Sequence, residues 1–230
     1  MKSITIFLLL TLIVSCDNNK SNKNDSILSE NIIAYWDFDN ESCNDKSENN
    51  FHSIPHNNYS FVSGINNNSK AIRFEGNPGN SLNGGYMSLP ELGLNNLDNY
   101  SISMWVNHET TSDQGDFYFF IGDFTEGFLG IGYNVNRPNV DDELFHIWSV
   151  GTILRNNNFI GNTIAYDNEN DFMNEWVHYI LVYEDGFFKA YYNGQLVGSE
   201  FQQTNISGNF AALNSSYWTG VSNGYSSRNT

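Results

Sequence analysis

The sequence has few basic residues, few cysteines, few prolines and no apolar run long enough to cross a bilayer as a helix. Lysine and arginine together number 10 against 26 aspartates and glutamates, so the formal net charge of the 230 residues is −16. Nucleic-acid binders neutralise phosphates with a basic surface, and this balance argues against that class. With 2 cysteines and 4 prolines, the chain is neither a disulfide-dense scaffold nor collagen-like.

Aromatic residues are abundant instead, at 15% of the chain, with 17 Phe, 13 Tyr and 5 Trp. Such a chain can build an apolar core, which excludes wholesale disorder. Asn, Asp and Gly punctuate short aromatic and β-branched runs, a pattern typical of many turns between short strands.

The N-terminal segment has the pattern of a secretory signal. Lys2 precedes an apolar run at residues 4–14, and small residues follow. The run is shorter than the ~20 residues a membrane-spanning helix needs. Its ending, LIVSC at residues 12–16, resembles the lipobox of bacterial lipoproteins. That resemblance implies cleavage before Cys16 and a lipid on its sulfur; an ordinary signal peptide with a chance cysteine is the alternative.

We therefore divide the chain into three parts. Residues 1–15 are the lipoprotein signal peptide, residues 16–30 the lipidated cysteine and a flexible polar tether, and residues 31–230 a single domain. The predicted location is the bacterial cell envelope, anchored by lipid to a membrane, in our interpretation the outer one, with periplasmic and outward-facing placements both open. Cys43 then has no intramolecular partner and is expected to be a free thiol.

The domain is predicted to be all-β, without a convincing helix. At residues 101–107 the alternation puts Ile102, Met104 and Val106 on one face of a strand and Trp105 on the other. Near the C-terminus, Asp-Gly and Asn-Gly turns are predicted to join three strands into hairpins. These three strands are residues 176–183, 187–192 and 195–198, and further predicted strands lie at residues 32–38, 117–121, 128–133 and 145–150. This spacing favours a sandwich or barrel.

Several segments also carry a family resemblance. IAYWDFD at 33–39, NDKSENNFH at 44–52, YSISMWV at 100–106 and the hairpin at 176–198 resemble laminin-G-like jelly-roll domains of the concanavalin A-like lectin/glucanase superfamily. The resemblance implies a two-sheet antiparallel β-sandwich. That family usually ends with a strand beside the first one, and this chain stops just before the corresponding segment. We expect the first strand to lack that neighbour unless another element covers the edge.

No catalytic motif is recognisable, so the chain is predicted not to be an enzyme. The glucanases of the resembled superfamily carry three carboxylates at alternating positions of one strand, where the pleat aims them at the cleft. The nearest set here is Glu169, Asp171 and Glu175, which is spaced too widely and lies in an Asn-rich turn. A hydrolase with these or other unrecognised carboxylates remains the alternative.

Calcium is the one cofactor considered. Asp37 lies at the end of the first predicted strand, and Asp39 and Asp45 follow it. Such carboxylates are the hard oxygen ligands that calcium prefers. Many domains of the resembled family carry a structural calcium near this end. A solvated acidic turn without metal is the alternative.

A ligand platform is predicted from aromatic residues, because sugars stack their apolar faces on such rings. Trp105, Tyr133 and Trp148 are the candidates, with core packing as the alternative for each and Trp105 preferred. His178 occupies the Trp-x-His position of the resembled family, and it is expected to pack or to make a backbone hydrogen bond rather than catalyse.

The sequence therefore predicts a non-catalytic module that binds a glycan or a cell-surface protein. Its lipid is predicted to anchor it to the membrane. A hydrolase and a truncated structural remnant are the alternative functions.

Overall fold

A computed structural model of the chain describes residues 3–7, 31–75, 84–109, 116–123, 126–135, 144–153, 159–167, 172–201, 206 and 211–216. Numbered in chain order, the strands are β1 (Ser3–Phe7), β2 (Ile54–His56), β3 (Tyr59–Ser63), β4 (Lys70–Glu75), β5 (Tyr86–Leu89), β6 (Tyr100–His108), β7 (Asp116–Asp123), β8 (Gly127–Val135), β9 (Leu144–Ile153), β10 (Phe159–Asp167), β11 (Trp176–Glu184), β12 (Phe187–Tyr192), β13 (Gln195–Phe201) and β14 (Ala211–Ser216). Within these ranges the only helical element is a 3-10 turn at Leu94–Asn96.

The strands form two seven-stranded sheets. Sheet A has the order β13-β12-β11-β6-β1-β4-β3, and sheet B has the order β10-β9-β8-β7-β14-β5-β2. Every ladder between these strands is antiparallel. The predicted all-β, two-sheet antiparallel sandwich is confirmed.

The main core lies between the inner faces of the two sheets. Sheet A contributes Ile102, Met104 and Val106 from β6, at most 1% exposed, as the alternation predicted. Sheet B contributes large aromatic side chains, among them Tyr118 and Trp148. Burying such rings removes much apolar surface from water, and this burial is the main source of the fold's stability.

The predicted hairpins at β11, β12 and β13 are confirmed. Asp185 and Gly186 have φ of 52° and 85°, and Asn193 and Gly194 have φ of 48° and 80°. Two consecutive positive φ values are what the two-residue hairpin turn requires, and Asp-Gly and Asn-Gly tolerate them.

The predicted strand at residues 32–38 needs correction. Ala34, Trp36 and Phe38 are buried alternately, at most 1% exposed, but no described strand pairs with them. Instead, the Tyr35 backbone N–H donates to Asp45 Oδ1, and the Tyr35 carbonyl accepts from the Lys46 N–H. The segment is therefore extended and anchored by the loop that follows it, so its alternation predicts burial correctly but not sheet pairing.

The first described strand falls inside the predicted signal peptide. β1 runs between β4 and β6 and completes sheet A. Its consecutive β-branched residues, Ile4, Thr5 and Ile6, suit a strand as well as an apolar leader. Cleavage before Cys16 stays a prediction, because Cys16 and the tether from residue 17 to 30 lie outside the described residues.

Cys43 is buried and free, as expected. Burial raises the pKa of its thiol to about 11, which keeps it protonated and unreactive at neutral pH.

In the part of the chain that the structure describes, no helix has the length and apolar character needed to span a bilayer.

Candidate functional site

The outer face of sheet A carries an aromatic and polar group of residues at the β6–β11 ladder. Trp105 on β6 is paired in register with His178 on β11, and their rings stack with centroids 4.5 Å apart and planes within 6°. Both side chains are only partly buried. Because cross-strand pairs share a face, the register that buries Val106 against Val177 turns Trp105 and His178 outward together.

Polar groups flank this stack. His178 Nε2 lies 2.8 Å from Ser103 Oγ, which fixes the orientation of the imidazole. Burial lowers the pKa of His178, so the ring is neutral at neutral pH. Asn107, two residues beyond Trp105, has a buried Oδ1 without a hydrogen-bond partner. We call Trp105, His178, Ser103 and Asn107 the outer-face cluster.

An ion pair borders the outer-face cluster. Arg73 Nη2 donates to Glu109 Oε2 at 2.7 Å, and both side chains are about one-third exposed. The partly exposed indole of Trp105 thus lies beside hydroxyl, imidazole, amide and charged groups. Carbohydrate sites combine such groups, because a sugar ring stacks on an aromatic ring while its hydroxyls make hydrogen bonds to the polar groups around it. The predicted outward orientation of Trp105 is confirmed.

Tyr133 and Trp148, the other two predicted platform residues, lie elsewhere. They are 1% and 0% exposed and belong to the core between the sheets. Neither ring offers a face to solvent, so the structure does not bring them together with Trp105 as a surface platform. The reason is the pleat: on β8 and β9 these positions share the inner face with Ile131 and His146.

A second histidine–aromatic group is buried between the sheets and was not anticipated. His108 and His146 are 1% and 0% exposed. Tyr118 Oη lies 3.4 Å from His108 Nδ1, and Tyr179 Oη lies 2.6 Å from His146 Nδ1. We call these four residues the interior cluster.

Burial sets the protonation state of the interior cluster. It lowers the pKa of His108 to about 4 and, with the nearby His108, lowers the pKa of His146 to about 3. Both rings are therefore neutral at neutral pH. Their Nε2 atoms are buried without a hydrogen-bond partner. Little in the sequence indicates this cluster, because β9 comes together with β6 and β11 only in the folded sandwich.

The acidic residues predicted to bind calcium have separate structural roles. Asp45 is 6% exposed, and its carboxylate accepts hydrogen bonds from the backbone N–H groups of Tyr35, Ser47 and Phe51 at 2.8–2.9 Å and from Ser47 Oγ at 2.5 Å. Its own N–H donates to His52 Nδ1. This saturated carboxylate organises the loop at residues 44–52.

Asp37 and Asp39 point to other partners. Asp37 Oδ1 lies 4.0 Å from Lys46 Nζ, and Asp39 Oδ1 accepts from the Lys70 N–H at 2.8 Å. Among the described residues, no group of three or more His, Cys, Asp or Glu side chains is placed to hold a metal. Calcium binding stays a prediction, without a formed site in this part of the chain.

Of the three suspected catalytic carboxylates, the structure describes one. Glu175 is exposed and lies in the turn before β11, as expected, rather than in a strand. Glu169 and Asp171 lie outside the described residues.

Most of the chain matches a known protein family. A laminin G model of the concanavalin A-like lectin/glucanases superfamily matches residues 79–229. The chain therefore belongs to that superfamily, as its sequence motifs indicated. Among curated proteins, no match was found.

The similar solved structures include an arabinanase domain with the same architecture. Domain 4 of AbnA, a GH43 extracellular arabinanase from Geobacillus stearothermophilus, in complex with arabinotriose, aligns at TM-score 0.52 and 18% identity over 81% of this chain and 84% of that one. The laminarinase catalytic domain from Thermotoga maritima aligns at TM-score 0.41 and 13% identity over 75% and 70%. Sheep galectin-11 aligns at TM-score 0.35 and 7% identity over 56% and 87%. At 18% identity, the likeness to the arabinanase domain shows the fold alone.

Proposed function

We propose that this protein is a cell-envelope module, held to the membrane by a lipid on Cys16, that binds a glycan without cleaving it. The observation that carries the glycan-binding part is the outer-face cluster: Trp105 and His178 stacked, partly exposed and surrounded by polar groups. It is located on a fold that lectins and glycan hydrolases share.

Three further considerations support this proposal. The superfamily name joins lectins and glucanases, so a glycan is the partner that the fold favours. The arabinanase domain was solved in complex with arabinotriose, which makes arabino-oligosaccharides a sensible first probe. The net charge of −16 argues for a neutral rather than an anionic sugar polymer.

The test is calorimetric titration of the full chain with a panel of arabino- and laminari-oligosaccharides. We expect binding by at least one of them, and Trp105→Ala should weaken it at least tenfold, which corresponds to about 1.4 kcal/mol. Phe187→Ala is the matched control, because Phe187 is an exposed aromatic residue, 45% accessible, in another part of sheet A. Equal weakening by both substitutions, or none by Trp105→Ala, would exclude the outer-face cluster as the site.

The lipid anchor has an independent test. Radiolabelled palmitate fed to a bacterial host should be incorporated into the full chain and not into Cys16→Ser, and the variant should leave the membrane fraction. Membrane retention and labelling of Cys16→Ser would contradict lipidation at this residue.

A glycan hydrolase is the second candidate, favoured by the superfamily's inclusion of glucanases. Reducing-sugar release from the same oligosaccharides would show it. Glu175→Gln, Glu169→Gln and Asp171→Asn then test the suspected carboxylates one at a time. Binding without any release supports the non-catalytic proposal.

A further inference from the structure

A row of side chains continues the outer face of sheet A from the outer-face cluster to the end of the sheet. Ile180 on β11 is paired in register with Ser103 on β6 and with Tyr191 on β12. Tyr191 is in turn paired with Leu196 on β13, at the end of sheet A. Because cross-strand partners share a face, these side chains lie on the face that carries Trp105. We call Ile180, Tyr191 and Leu196 the edge row.

The edge row is apolar and accessible. Leu196 is 53% exposed, and Ile180 and Tyr191 are partly exposed. Tyr192, the next residue along β12, is instead buried in the core. Tyr191 is therefore a second aromatic side chain on the outer face, separate from Trp105 and joined to it by a continuous set of register partners.

Ion pairs border this part of the face at both ends. Arg73 and Glu109 form the pair beside the outer-face cluster, and Lys189 Nζ lies 2.7 Å from Glu184 Oε2 beyond the edge row. Between the two pairs, the residues of the outer-face cluster and of the edge row include no Asp, Glu, Lys or Arg. Apolar side chains beside hydroxyl, imidazole and amide groups, without net charge, suit a neutral ligand that is rich in hydroxyls.

The separation of the two aromatic side chains sets the length of such a ligand. Trp105 is on β6, and Tyr191 is two strands away on β12 and two residues farther along the strand direction. Standard strand spacing and rise put their Cα atoms about 12 Å apart. A sugar ring is about as wide as the ~4.8 Å between neighbouring strands. A sugar chain that stacks on both side chains therefore needs at least three units.

We propose that the edge row is a second stacking subsite, and that the ligand of this face is a neutral, linear oligosaccharide of at least three units that contacts Trp105 and Tyr191 together. The inference rests on the proposed glycan binding and names the class of glycan. None of these residues belongs to the segment that signal cleavage would remove. Two linked contacts bind more tightly than one, because the second forms at a high effective concentration.

Calorimetric titration of the full chain with arabino- and laminari-oligosaccharides of two to six units tests this proposal. In the series that binds, affinity should rise at least tenfold from the disaccharide to the tetrasaccharide. Tyr191→Ala should abolish this rise and leave the affinity for the disaccharide unchanged, whereas Trp105→Ala should weaken binding at every length. Tyr191→Phe keeps the ring and should preserve the rise.

Phe187→Ala is again the matched control. Phe187 is an exposed aromatic residue on the same face of β12 as Tyr191, beyond the ion pair of Lys189 and Glu184. Its truncation should leave the dependence on chain length unchanged. Thermal melts of all variants confirm that each one is folded before it is titrated.

Two results would overturn the inference and leave glycan binding intact. One is equal affinity for two and for four sugar units, and the other is a length dependence that persists in Tyr191→Ala. Self-association that Tyr191→Ala abolishes, seen by sedimentation velocity without any length dependence, would also overturn it and assign the edge row to a second copy of the chain. If no oligosaccharide binds, the proposed function fails, and this inference fails with it.

Discussion

The outer-face cluster and the interior cluster both use β6 and β11 of sheet A, and the interior cluster adds Tyr118 from β7 and His146 from β9 of sheet B. His178 on β11 points outward, stacks on Trp105 and reaches Ser103, while Tyr179, the next residue, points inward and reaches His146. The outward histidine is half-buried, whereas His108 and His146 are almost completely inaccessible. Neighbouring residues of a strand face opposite sides of the sheet. His178 is therefore accessible to a ligand, whereas Tyr179 packs in the core.

The largest expected contrast between the core around the interior cluster and the outer-face cluster is in side-chain truncation. Trp148→Ala should destabilise the protein by about 3–5 kcal/mol, because Trp148 is fully buried against Tyr179 and its removal leaves a cavity. Trp105→Ala should cost about 1 kcal/mol, the worth of a partly exposed ring contact. Urea unfolding at neutral pH measures both. Similar losses would mean that the two faces are not energetically distinct.

The next contrast is in pH dependence. Burial holds the pKa of His146 near 3 and of His108 near 4, below the ordinary 6.5 of an unfolded chain. The unfolded state therefore binds more protons below pH 6.5, so the stability that these neutral rings contribute is present above that pH and is lost as the pH falls toward 4 and 3. From pH 7.5 to pH 5 the expected loss is about 2 kcal/mol per histidine.

Chemical unfolding at several pH values measures this loss, and variants separate it from other titrations. His146→Phe should remove about half of the histidine contribution to the slope. His178→Gln should change the slope less, because this ring is only half-buried and the desolvation that lowers its pKa is weaker than for two almost inaccessible rings. An unchanged slope in His146→Phe would show that His146 is not the buried neutral ring described here.

The smallest contrast is in single hydrogen bonds. Tyr179→Phe removes the hydroxyl that lies 2.6 Å from His146 Nδ1 and leaves a buried polar atom unsatisfied, with an expected cost of about 1–2 kcal/mol. Ser103→Ala removes the equivalent partner of His178, and the cost should be about 0.5–1 kcal/mol, because water can replace the hydroxyl at a half-exposed ring. Paired urea titrations test the order; the reverse order would contradict the assigned environments.

Much of sheet A was predictable from local pattern. The hairpins from β11 to β13 follow from Asp-Gly and Asn-Gly turns, whose positive φ values are a property of those residues in any fold. The alternation on β6 predicts that Trp105 lies on the outer face of sheet A. His178 could have been added to the site by the same reasoning, since Val177 and Tyr179 beside it are apolar and inward.

The errors came from contacts between distant segments. Tyr133 and Trp148 are aromatic residues in short strands, like Trp105, and only the packing of sheet B against sheet A decides that they lie in the core. Asp45 was grouped with Asp37 and Asp39 by spacing, but the loop folds so that one carboxylate binds three backbone N–H groups. Residues 32–38 have strand alternation, yet a strand also needs a neighbour.

By itself, the sequence determined the all-β class, the superfamily, the hairpins near the C-terminus and the two faces of β6, because turn chemistry and period-2 alternation act over a few residues. Only the tertiary structure decided which aromatic rings are buried, that Asp45 organises a loop, that His108 and His146 share the core and that β1 joins β4 to β6. Those features depend on which segments meet across the sandwich, and that is set by burial of the whole chain rather than by any local pattern.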